Sequence, residues 1–101
     1  SFFGAGNRFE DIMARYGSRP KVRIIRMRKV PFIDSTGLHN LENMCLMSQK
    51  EGVTIVLSGV NEKVEGVLMR NHFERIVGEQ NICNHIDLAL ARAKEITEEN
   101  T

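Results

Sequence analysis

The run "VTIVLSGV", residues 53–60, does most to restrict the fold. A strand with one wet face alternates apolar and polar residues. This run is almost continuously apolar, so it reads as a strand buried on both faces. Such a strand needs a packing layer on each side. Around it the order reads helix, strand, helix, strand, helix, short strand, helix. That alternation predicts an α/β domain with a mixed, mostly parallel sheet packed with about four helices. Right-handed crossovers then place consecutive helices on the same side unless the strand order reverses.

The elements can be placed from their periodicity. A first helix is expected from about residue 7, capped by Asn7 with Glu10 three positions on. Its apolar stripe is Phe9, Ile12, Met13 and Tyr16; Asp11 and Arg15 form an outer pair, and Gly17 ends it. Residues 21–30, "KVRIIRMRKV", read as a strand whose arginines leave one face partly wet. The next helix runs to about Lys50, lined by Leu38, Leu41, Cys45 and Ser48 with Met44 beside them, and "EG" stops it. Asn61 caps a third helix with Glu62 in its first turn, burying Val64, Val67 and Leu68. Residues 72–84 are a connector, with a short strand expected near 75–77. A last helix, about 85–97, carries the stripe Ile86, Ala89, Leu90 and Ala93; Asp87 near its start and Lys94 near its end suit the helix dipole. Residues 97–101 read as a frayed tail. Met44, Met47 and Met69 read as core filler.

Composition removes several functions. The chain has 101 residues with 42% hydrophobic and 27% charged, which suits a single soluble domain over residues 1–101. Its net charge is +1, and the basic run in residues 23–29 lacks interleaved aromatics, so nucleic acid is not expected as a partner. No apolar run approaches the roughly 20 residues of a membrane span. Cys45 and Cys83 stand far apart, without metal-ligand spacing, and read as reduced, part-buried thiols. His39, His72 and His85 are scattered and read as surface or cap residues. No nucleophile-and-base set, phosphate loop or metal motif is present, so neither catalysis nor a cofactor or metal is expected. The chain begins "SFFGAG", without Met, and reads as a piece of something longer.

What remains is the junction "FIDSTGLHNLE", residues 32–42. Asp34, Ser35 or Thr36 can accept from the first N–H groups of the following helix, which have no intrahelical partners. Gly37 allows a close backbone approach or an unusual φ. Together with Leu38 these residues form a helix entrance that can also seat an anion. A phosphate on Ser35 would bring about two negative charges to the positive helix end, with Asp34 opposing it. Such an arrangement suits docking or a switch better than catalysis. A nucleotide or small anion held at this entrance is the remaining binding reading.

The same residues carry a family resemblance. "VPFIDSTGLHNLE" resembles the signature of STAS domains, shared by sulphate transporters and anti-sigma factor antagonists. "GVTIVLSGVNEKV" resembles the strand and turn that follow. "FFGAGNRFED" and "VGEQNICNHIDLALARAKE" resemble the first helix and the C-terminal stretch of the SulP anion-transporter branch. The resemblance implies a cytoplasmic C-terminal domain that regulates a transporter at the inner face of the plasma membrane. Its first partner would be the transmembrane domain of that parent, with a regulatory protein or a second copy as others. It also implies one or two strands ahead of the first helix, of which only "SFF" is left here, so an N-terminally truncated domain with an open sheet edge is expected. In the antagonist branch the Ser matching Ser35 is phosphorylated by a partner kinase, which makes a free-standing phosphorylation switch the alternative.

Overall fold

The computed structural model describes residues 8, 10–12, 14 and 17–99. Residues 8, 10–12 and 14 are helical, and Ile12 is 48% exposed. The remaining stripe residues expected there, Phe9, Met13 and Tyr16, lie outside the described residues, as do Asn7 and Arg15. From there the elements are β1 (Val22–Arg26), α1 (Ser35–Lys50), β2 (Thr54–Ser58), α2 (Glu62–Arg70), α3 (Glu74–Val77), a 3-10 turn (Glu79–Asn81) and α4 (Ile86–Glu99).

β1 and β2 pair in parallel, with Val22 opposite Thr54 and Arg26 opposite Ser58. β2 is buried from Ile55 to Ser58, so the strand read as two-faced is so. Ile55 and Leu57 point to one face, where they meet Leu41 and Cys45 of α1, Val64 and Leu68 of α2, and Phe73. Val56 points to the other and meets Ala89 and Ile96 of α4, with Cys83. β1 follows the same division: Ile25 packs on the first cluster, Val22 and Ile24 on the second. Helices α1 to α3 therefore cover one face and α4 the other.

Five expectations change. The strand expected near 75–77 is the short helix α3. Val77 N donates to Phe73 O at 3.2 Å and Gly78 N to Glu74 O at 2.9 Å, the i to i−4 bonds of a helix, and Phe73 and Val77 are both buried. Gly78, at φ 91, ends the turn, and the chain then touches β2 through one parallel bridge, Leu57 to Ile82. Met44 and Met47 are 42% and 65% exposed, and Met69 is half-buried, so they are not core filler. At about 100° per residue, Met44 and Met47 turn progressively away from the line of Leu41, Cys45 and Ser48. Leu90 is 54% exposed, and Ile96 takes the inward position beside Ala89. The first strand is shorter than residues 21–30, because Val30 N donates to Met27 O and closes a turn there. The tail is helical through Glu99, with the Thr97 hydroxyl donating to Ala93 O at 2.8 Å.

A polar tie holds α4 to the opposite layer. Asn81 is 6% exposed; its Nδ2 donates to Val77 O and its Oδ1 accepts from Arg92 Nε, each at 2.7 Å. Both ends of a buried amide are thereby used, which removes the cost of burying it. Both cysteines are free and buried. Burial, then the charge of Glu42, pushes the Cys45 thiol up to about 11, and burial raises Cys83 as well. Thiols held protonated in this way are poor nucleophiles.

Candidate functional site at the entrance to the first long helix

The junction singled out in the sequence is the N-terminus of α1. Asp34 is its N-cap, with extended backbone (φ −92, ψ 178), and its Oδ1 accepts from Gly37 N at 2.8 Å. Leu38 N closes the first helical bond on Asp34 O at 2.9 Å. Of the three candidate acceptors it is therefore Asp34 that caps. Ser35 and Thr36 stand in the first turn with exposed side chains. Asp34 itself supplies the negative charge that the positive helix end favours.

Gly37 sits where space is tight. A Cβ there would lie 3.1 Å from Ile33 Cγ1 and 3.3 Å from Asp34 Oδ1. A larger residue would push on both the cap and the segment leading into it. Leu38, half-buried, packs on the core and anchors the turn to the first face of the sheet. The five residues thus divide into three structural positions, Asp34, Gly37 and Leu38, and two outward hydroxyls, Ser35 and Thr36.

Beside the turn runs an apolar groove of about 380 Å³, lined in part by Met27, Val30, Phe32, Ile33, Leu41 and Met44. Phe32 is 64% exposed. An aromatic ring left this open next to an exposed methionine is a common feature of surfaces that meet a partner. The loop carrying Phe32 is held from elsewhere: Asn61 Nδ2 donates to Val30 O at 3.1 Å and Pro31 O at 3.3 Å. The Oδ1 of the same side chain caps α2 by accepting from Val64 N at 2.7 Å.

Sequence reasoning read Asn61 only as a cap. Its second role spans about thirty positions and leaves no local trace. Phe32 belongs to the same junction but has no periodic partner to mark it as outward. The histidines sit apart on the surface as expected: His39 bonds Asn43 at 3.2 Å, His72 lies 3.5 Å from Glu74, and His85 precedes α4.

Comparison with known proteins settles the family. The family model described as "STAS domain" matches residues 2–89. This chain belongs to the STAS family. It is 41% identical to a sulfate transporter family protein of Wolinella succinogenes, whose crystal structure it matches with a TM-score of 0.77 over 95% of this chain and 79% of that one. It is 35% identical to the STAS domain of a SulP transporter from Vibrio cholerae, again with a TM-score of 0.77, over 97% of this chain and 77% of that one. Sulfate transporter 1.2 of Arabidopsis thaliana is 32% identical over 75 residues, which are 72% of this chain and 12% of that protein's length. The STAS fold of these neighbours agrees with the α/β arrangement described above. Among the described residues of this STAS domain, no helix is long and apolar enough to cross a membrane.

Proposed function

We propose that this STAS domain is the cytoplasmic regulatory and docking module of a SulP-type anion transporter and does no chemistry of its own. The observation that carries the reading is the entrance to α1. There Asp34 and Gly37 are committed to the cap, while Ser35, Thr36 and Phe32 face outward beside an apolar groove. Family membership supports the transporter context, since the relatives it resembles are sulfate-transporter proteins. The partner this surface suits best is the transmembrane domain of the parent protein; a regulatory protein or a second copy would use the same chemistry. The test uses the full-length transporter. Phe32→Ser should lower anion uptake without lowering the amount of protein in the membrane. Uptake equal to the parent's would count against the reading.

A second reading is favoured by one observation, the exposure of Ser35 in the first turn of a 16-residue helix. A phosphate there would reach the positive end of the helix and reverse the local surface charge. On this reading the chain is a free-standing antagonist switched by a kinase. The coding sequence upstream of Ser1 separates the two. Repeated apolar spans of about 20 residues belong to a transporter; a start codon close upstream belongs to the antagonist. In the second case, incubation with kinase and ATP should add one phosphate that Ser35→Ala abolishes.

A further inference from the structure

β1 and β2 end side by side, Arg26 opposite Ser58, at the carboxyl edge of the parallel sheet. Ligands of open parallel sheets bind at this edge, because helix N-termini converge there. α4 begins next to it. Between them lies a cavity of about 360 Å³ lined by Arg26, Arg28, Ser58, Gly59, Asn84 and His85. Only Arg26 is shared with the groove beside the α1 entrance.

The chemistry of this cavity is one-sided. Two arginines line it and no carboxylate does. Among the described residues, neither guanidinium has an ion-pair partner, whereas Arg92 is paired with Glu95. The nearest acidic residue along the chain is Asp87, in the first turn of α4 but outside the lining. α4 has 14 residues, enough for a full positive end, and its first N–H groups have no intrahelical acceptor. Ser58 adds an independent sign. It is only 1% exposed, yet it lines the cavity, and a hydroxyl in that position can donate to an anion held there.

The fold also brings the second arginine into place. Gly59 has φ +70, and a Cβ on it would stand 2.7 Å from Arg28 N and 2.8 Å from Arg28 Cα. Only glycine lets the turn after β1 lie this closely on the turn after β2, which sets Arg28 on the cavity wall.

We propose that this cavity binds a tetrahedral oxyanion, phosphate or sulfate, between the two guanidiniums, the Ser58 hydroxyl and the first turn of α4. The guanidinium forks match such an ion geometrically, and its oxygens would take up the helix N–H groups. The volume leaves room for water or for the remainder of an ester behind the anion.

The test is a titration of the chain with sodium phosphate, sodium sulfate and glycerol phosphate, each against sodium chloride at matched ionic strength, followed by amide NMR. Saturable shifts are expected at Gly59 and at residues 84–87, absent with chloride. Saturation by phosphate or sulfate alone identifies a free ion as the ligand; tighter binding of glycerol phosphate identifies the head of an ester. Replacing both arginines by Gln should weaken binding by about tenfold or more, as loss of charge-assisted contacts does, with no change in melting temperature because both are exposed. Ser58→Ala gives a second, independent weakening. Shifts that rise linearly, that chloride reproduces, that centre on residues 35–38, or that survive the double arginine change would each overturn the proposal.

Discussion

The entrances of α1 and α2 use the same local device and reach different ends. Asp34 and Asn61 are both extended N-caps whose side-chain oxygen accepts from the N–H three residues on, at 2.8 and 2.7 Å. A carboxylate has only acceptors, so Asp34 stops at its own helix. An amide also carries donors, and Asn61 spends them on Val30 O and Pro31 O. The third residue after each cap is Gly37 in one case and the buried Val64 in the other. One entrance is therefore wired into the core and the neighbouring loop. The other is left open, with hydroxyls and Phe32 at the surface. A helix start becomes a candidate site when its cap is self-sufficient and its neighbours are free.

The contrast can be broken most forcibly at Asn61. Asn61→Ala removes a cap worth about 1 kcal/mol and two further bonds of about 1 kcal/mol each. A loss of about 2–3 kcal/mol is expected in urea unfolding, with faster amide exchange at Val30, Phe32 and Ile33. Asn61→Asp keeps the acceptor and drops the donors, so it should recover about 1 kcal/mol of that without restoring exchange protection. If the two variants behave alike, the tie to the loop is idle and the two entrances are equivalent.

Asp34→Ala should cost about 1 kcal/mol, the cap alone, with no spread to the loop before it. Phe32→Ser should change stability by less than about 0.5 kcal/mol, as for an exposed residue, while lowering anion uptake if the proposed transporter role holds. A stability loss as large as that of Asn61→Ala would make Phe32 a structural residue and remove it from the docking surface.

The smallest effect at neutral pH sits under α1, at Cys45. Its thiol titrates near 9 when unfolded and is pushed up to about 11 in the fold. The native state thus holds a proton that the unfolded chain releases. Stability from this group is intact below pH 9 and is lost as pH rises toward 11. Melting temperatures of the parent chain should fall more steeply over that window than those of Cys45→Ala. Parallel slopes would show that other groups carry the alkaline loss.

Much of this could be read from local pattern. The caps Asp34 and Asn61, the inward line Leu41, Cys45 and Ser48, and the two-faced strand from Ile55 to Ser58 are all short-range signals. α3 leaves no local mark because four residues, "ERIV", have no room to show a period. Met44 and Met47 look like core by residue type, yet their angle around the helix turns them outward. At the α1 entrance the five junction residues were visible. The groove beside them was not, since Met27 and Val30 reach it from the turn after β1.

The sequence by itself determined the long helices, the two paired strands and their parallel direction, and the family, because periodicity, caps and signature residues act within a few positions; the short α3 was not among them. Tertiary structure alone decided what these pieces share. It placed α4 opposite the other helices, closed the Val77, Asn81 and Arg92 tie, hung the Phe32 loop from Asn61, and gathered Arg26, Arg28, Ser58 and His85 around one cavity. Those groupings join positions up to about sixty residues apart, and the physical reason is plain. A hydrogen bond or a shared cavity depends on distance in space, and only the packed sheet converts sequence separation into proximity.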